Sequence, residues 1–141
     1  MFGRIEIFTC VIPIDLYTDT MRILLKSTSI IEALTGLAFM FIPNLVTNLL
    51  LGLPVNEVSG LILSMVAGAA LLSIAIVCWF ASENDNAIDL VKGLMFYNIA
   101  VVGIVLYSAI HFYVYNTLFF AVAGFHFIYA TWCLIVVRKN K

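Results

Sequence analysis

Two ionisable side chains lie deep inside apolar sequence, and they are the residues of this chain best suited to chemistry. Glu32, within Ile30-Ile31-Glu32-Ala33, falls about ten residues into the first long apolar segment. At a helical rise of 1.5 Å per residue that is about 14 Å from the nearer membrane boundary. A carboxylate at such depth costs about 2.5–3.5 kcal/mol on insertion scales, so it should face other helices, be paired, or carry a proton. His126 lies near the middle of the last apolar segment, at a similar depth. Ala123, Ala130 and Cys133 follow it on one helical face at i−3, i+4 and i+7. We expect Glu32 and His126 to face one another. Such a pair relays a proton, holds a polar ligand group, or locks helix packing as a static hydrogen bond.

Other polar residues lie inside the apolar segments. Ser29 and Gly36 lie on the face of Glu32, at i−3 and i+4. Asn98, in Phe96-Tyr97-Asn98, lies deeper toward the cytoplasmic end of the third segment, and Tyr129 on the last segment is at a level comparable to Asn98. An Asn in a membrane helix is most often an interhelical hydrogen-bonding group, worth about 0.6–2 kcal/mol. The candidate intramembrane polar site is therefore Glu32, His126, Asn98, Ser29 and Tyr129. No nucleophile–base–orienter arrangement appears, so no catalytic residue is assigned. A haem held by His111 and His126 fails on depth, because His111 lies at the end of its segment. Cys10, Cys78 and Cys133 are scattered, without CxxC or Cys/His spacing. Neither a metal site nor a disulfide framework is indicated, and no cofactor is expected.

The elements that must position these residues are membrane spans. Hydrophobic residues make up 64% of the chain and charged residues 11%, against roughly 45–50% and about 25% in soluble domains. Four segments suit a bilayer core, which takes about 20 apolar residues in a helix. They run over about 23–42, 58–82, 90–112 and 117–137. Pro43 ends the first. The stretch Asn44 to Pro54 is too short to cross and reads as a short interfacial helix. Asp85 or Asn86 is placed to cap the third span. Gly93 to Val137 contains no Asp, Glu, Lys or Arg. It is long enough for two spans, and the break is expected at 111–116 (HFYVYN), where Tyr113 and Tyr115 suit an aromatic belt. Residues 1–22 read as a cytoplasmic or interfacial leader and 138–141 as a basic tail.

The basic residues give the orientation. All seven fall on one side of this plan. Arg4, Arg22 and Lys26 come before or at the start of the first span, and Lys92 near the start of the third. Arg138, Lys139 and Lys141 follow the fourth. The other two connections hold none. Lys and Arg mark cytoplasmic loops, so both termini are expected in the cytoplasm. Nothing resembles a basic face for nucleic acid.

Small residues point to close packing. Gly60, Ser64 and Gly68 recur at spacing four in the second segment, a pattern that lets helix backbones approach closely. Gly36, Ala123 and Ala130 supply similar positions in the first and fourth. The pattern leaves open whether the partner helix lies in the same chain.

Several short strings resemble those of small uncharacterised bacterial membrane proteins, broadly DoxX-like. They are Gly36-Leu37-Ala38-Phe39-Met40-Phe41-Ile42-Pro43, Gly68-Ala69-Ala70-Leu71-Leu72 leading to Cys78-Trp79-Phe80-Ala81, Gly93-Leu94-Met95-Phe96-Tyr97-Asn98, and the single His126 of the last helix. The resemblance covers most of the chain from Met21 and implies a four-helix bundle in a bacterial inner membrane. It implies no particular activity. The placement of Glu32 also resembles the carboxylate in the first helix of small multidrug transporters. The third segment lacks their aromatic and glycine signature, and the one-sided charge departs from them.

The expected architecture is all-α: a four-transmembrane-helix bundle, up-down, with both termini inside. The first expectation for function is a non-enzymatic scaffold or accessory subunit, a homo-oligomer or the partner of another membrane protein in the lipid bilayer. The second is a small proton-coupled transporter or small-molecule binding protein using the Glu32–His126 site. A membrane enzyme acting on a lipid or quinone is the third.

Overall fold

The computed structural model describes residues 14–84 and 86–140, with side chains from Thr18 onward. It is all-helical over these residues: α1 (Ile14–Phe41), α2 (Pro43–Leu51), α3 (Val58–Ala81), α4 (Ile88–Phe112) and α5 (Thr117–Lys139). Four of them, α1 from Thr18 together with α3, α4 and α5, are long and apolar enough to cross a bilayer. In α3 only 17% of the most apolar window is buried within the protein. Its Ile62, Leu63, Val66 and Phe80 are turned outward. A chain in water does not present such a surface, so these faces are read as lipid-contacting.

The boundaries follow local chemistry. Pro43 ends α1 and then takes the first position of α2, where its missing N–H is no loss. Gly52 closes α2 in the left-handed region, φ 73°, a conformation that glycine adopts without strain. The break inside the long uncharged stretch falls after Phe112, with Tyr113 left-handed at φ 56°. Asn116 starts α5, its side-chain Oδ1 accepting from Leu118 N at 3.0 Å.

Two boundaries differ from the sequence reading. α1 begins at Ile14 rather than near Ile23, because Met21, Leu24 and Leu25 are core residues on a continuous helix. Ala87, not Asn86, stands at the N-cap of α4, which has no side-chain cap, and Asp85 lies outside the described residues. Asn84 uses its Oδ1 to accept from Asn86 N at 2.9 Å, shaping the turn instead. The expected leader lies mostly at 1–13, with Cys10, outside the described residues.

Packing is organised in two antiparallel pairs, α1 with α3 and α4 with α5, joined by a lighter contact between α1 and α5. The α1–α3 pair meets backbone to backbone. A Cβ built on Gly36 would stand 2.7 Å from Gly68 O, and one on Gly68 would stand 2.6 Å from Gly36 O. Ser29 strengthens the pair by donating to Ala75 O at 2.8 Å. Gly60 faces Val55 in the connection before α3, not a neighbouring helix, and Ser64 is half-buried. On α5, Ala123, His126, Ala130 and Cys133 are all buried. The main core lies toward the basic end and gathers Met21, Leu24, Leu25, Cys78, Val91, Leu94, Cys133 and Val136. At that end Lys26 pairs with Glu83 at 2.9 Å and lies over the Trp79 ring at 5.9 Å.

Candidate functional site: an intramembrane cavity

The two helix pairs diverge away from the main core and leave a cavity of about 800 Å³. Ile31, Glu32, Thr35 and Phe39 of α1 line one side. Tyr97, Val101 and Val105 of α4 and Phe119, Val122, Phe125 and His126 of α5 line the other. Val46, Thr47 and Leu50 of α2 border it at the end opposite the basic residues. The side chain of Asn116 ties this short helix down by donating from Nδ2 to Leu49 O at 2.9 Å.

The walls are almost wholly apolar, so the polar groups stand out. Glu32 is 6% exposed and His126 is 9% exposed, and both reach the cavity. The expected direct bond between them is not made. The Tyr97 hydroxyl is instead the group that interacts with the Glu32 carboxyl. Asn98 is the partner of His126, with Oδ1 2.7 Å from Nδ1. Asn98 Nδ2 donates to Leu94 O, also at 2.7 Å. That second bond fixes the amide orientation, since only the NH₂ group can donate to a carbonyl. Asn98 Oδ1 therefore accepts, His126 Nδ1 carries the proton, and Nε2 is left as the acceptor of a neutral ring. The Tyr97 ring meets the His126 ring edge-on at 5.7 Å.

The five expected polar-site residues thus divide. Glu32 and His126 line the cavity. Asn98 sits behind His126 and orients it. Ser29 is turned to α3, as described above. Tyr129 stacks on Phe125 at 4.5 Å and on Trp132 at 5.8 Å, away from the cavity wall. Tyr97 and Thr35 line the cavity and were not among the expected residues. Tyr97 belongs to a stripe with Val101, Ile104 and Val105. In sequence that stripe differs little from a lipid-facing one, and the neighbouring Asn98 carries the stronger polar signal.

Among the described residues no group of three His, Cys, Asp or Glu is placed to hold a metal ion. Cys78 and Cys133 are free and buried. A shallower cleft of about 450 Å³ lies between residues 51–53 and 112–117, and among the described residues it has no ionisable side chain but those of Tyr113 and Tyr115. Comparison with family models, with curated proteins and with solved structures found no match.

Proposed function

We propose that this chain is a multi-pass membrane protein that binds a small lipophilic molecule in the cavity between its two helix pairs. The carrying observation is an apolar cavity of about 800 Å³ into which two buried, hydrogen-bonding residues, Glu32 and His126, project. Small-molecule sites have this character: mostly apolar walls, a few placed polar groups and a volume of about 300–1,000 Å³. The one-sided basic residues support cytoplasmic termini, and the resemblance in sequence supports a bacterial inner membrane.

The scaffold or accessory-subunit reading ranks second. One of its motivating glycines, Gly68, is occupied within the chain against Gly36. What favours it is that Gly103 and Gly124 have open space where a Cβ would stand, which leaves room for another helix. Chemical cross-linking in native membranes tests this reading, and a purely monomeric pattern with no partner band removes it.

The binding reading is tested by purifying the protein in mild detergent and identifying co-purifying lipophiles by native mass spectrometry. Val101→Trp puts an indole into the cavity. Its loss of a ligand that the parent retains supports the reading. A parent that carries only bulk membrane lipid, and a variant indistinguishable from it, removes it.

A further inference from the structure

We infer that the ligand is a lipophile bearing a free hydroxyl, an alcohol or phenol, held between Glu32 and His126; the assignment rests on the binding reading above. It follows from counting donors and acceptors. Among the described residues the cavity wall has no Lys or Arg, and an unpaired carboxylate is costly at this depth. Glu32 is therefore counted as the neutral acid, whose carboxyl holds one O–H beside its carbonyl oxygen. Neutral Glu32 and Tyr97 hold two O–H protons between them and use one in their mutual bond, so the pair has one left to donate. His126 has the opposite surplus. Its Nδ1–H is committed to Asn98, which leaves Nε2 seeking a donor.

The two residues line one cavity without bonding to each other. One therefore offers a proton to an acceptor, and the other accepts a proton from a donor. Among the polar groups a lipophile can carry, a hydroxyl is the smallest neutral one that answers both at once. An ether or ketone answers only Glu32, and an amine cation answers the carboxylate form instead. The rest of the wall, with Phe39, Phe119 and Phe125, accommodates a bulky apolar body. The titratable groups near Glu32 are Tyr97 from α4, His126 from α5 and Cys78 from α3. The α2 helix brings none.

The test compares three probes of one chain length, a long-chain primary alcohol, its methyl ether and the corresponding amine. Each is equilibrated with nanodiscs holding the full chain and with protein-free nanodiscs as the blank. The alcohol should bind about 5- to 100-fold more tightly than the ether, the range expected when a buried acceptor loses its donor. His126→Leu should bring the alcohol down to the level of the ether, whereas Glu32→Leu should weaken both. Equal binding of alcohol and ether by the parent protein overturns the hydroxyl assignment while leaving the binding reading intact. So does an amine that binds most tightly and gains affinity as pH rises. Binding of none of the three above the blank removes the binding reading itself.

Discussion

Asn98 Oδ1 lies 2.7 Å from His126 Nδ1, and the same amide donates to Leu94 O at 2.7 Å. One side chain thereby sets both the orientation and the tautomer of a histidine that is 9% exposed. Asn98 itself is 4% exposed, so water is a poor substitute for it. The Asn98→Ala variant leaves Nδ1 without its acceptor, and the expected loss is about 1–3 kcal/mol. Nitrogen NMR of labelled histidine checks the mechanism directly. The parent protein should show His126 protonated at Nδ1, and Asn98→Ala should lose that uniform signature. An unchanged tautomer would show that Asn98 does not set it.

The glycines divide into two classes with opposite expected effects. At Gly36 and Gly68 a new Cβ meets backbone oxygen at 2.7 Å and 2.6 Å, and backbone cannot step aside as a side-chain tip does. Gly36→Ala and Gly68→Ala should each cost about 1–3 kcal/mol, the range for overpacking. At Gly103 a Cβ meets nothing within 4 Å. There Gly103→Ala should be neutral or stabilising by up to about 1 kcal/mol from helix propensity. Denaturant titration in micelles measures all three, and similar losses at Gly36 and Gly103 would contradict the close crossing.

Which features were legible in the sequence follows from the range of the forces behind them. The spans, the short helix after Pro43 and the break before Thr117 depend on local composition, so they read directly. The stripe of Ala123, His126, Ala130 and Cys133 also read directly, because burial on one helical face repeats along the chain. Pairing between helices did not. Gly68 and Gly36 form one contact across distant parts of the chain, and nothing near Gly68 distinguishes it from Gly60. The same limit hid Tyr97. Its role depends on the separation of the two helix pairs, which turns an ordinary-looking face of α4 into a cavity wall.

Charge at the basic end should contribute to stability in a pH-dependent way. Glu83 accepts a hydrogen bond from Lys26, which holds its carboxyl below the usual value, helped by the charges of Lys26 and Arg22. A depressed folded-state value means stability that is present above the unfolded value and lost as pH falls through the folded one. Both partners are well exposed, so the effect is small and screened by salt. Glu83→Gln should lower the thermal midpoint slightly at neutral pH and low salt. The difference should vanish in acid, once Glu83 is protonated, and in high salt. A gap that persists in acid would assign the effect to something other than this pair.

Asn116 performs two tasks that substitution can separate. Its Oδ1 caps α5 through Leu118 N, while its Nδ2 holds α2 through Leu49 O. Aspartate keeps an acceptor for the cap and lacks the N–H for the tether. Asn116→Asp should therefore leave α5 intact and release α2, speeding amide hydrogen exchange over 43–51 while exchange at the start of α5 stays unchanged. Asn116→Ala should lose both the cap and the tether and cost about 1 kcal/mol for the lost cap. Because α2 borders the cavity beside Thr47 and Leu50, the aspartate variant should also shorten the residence of any bound lipophile while Glu32, Tyr97 and His126 stay in place. Faster exchange confined to α2, with unchanged residence, would mean that the ligand leaves between the long helices rather than past α2.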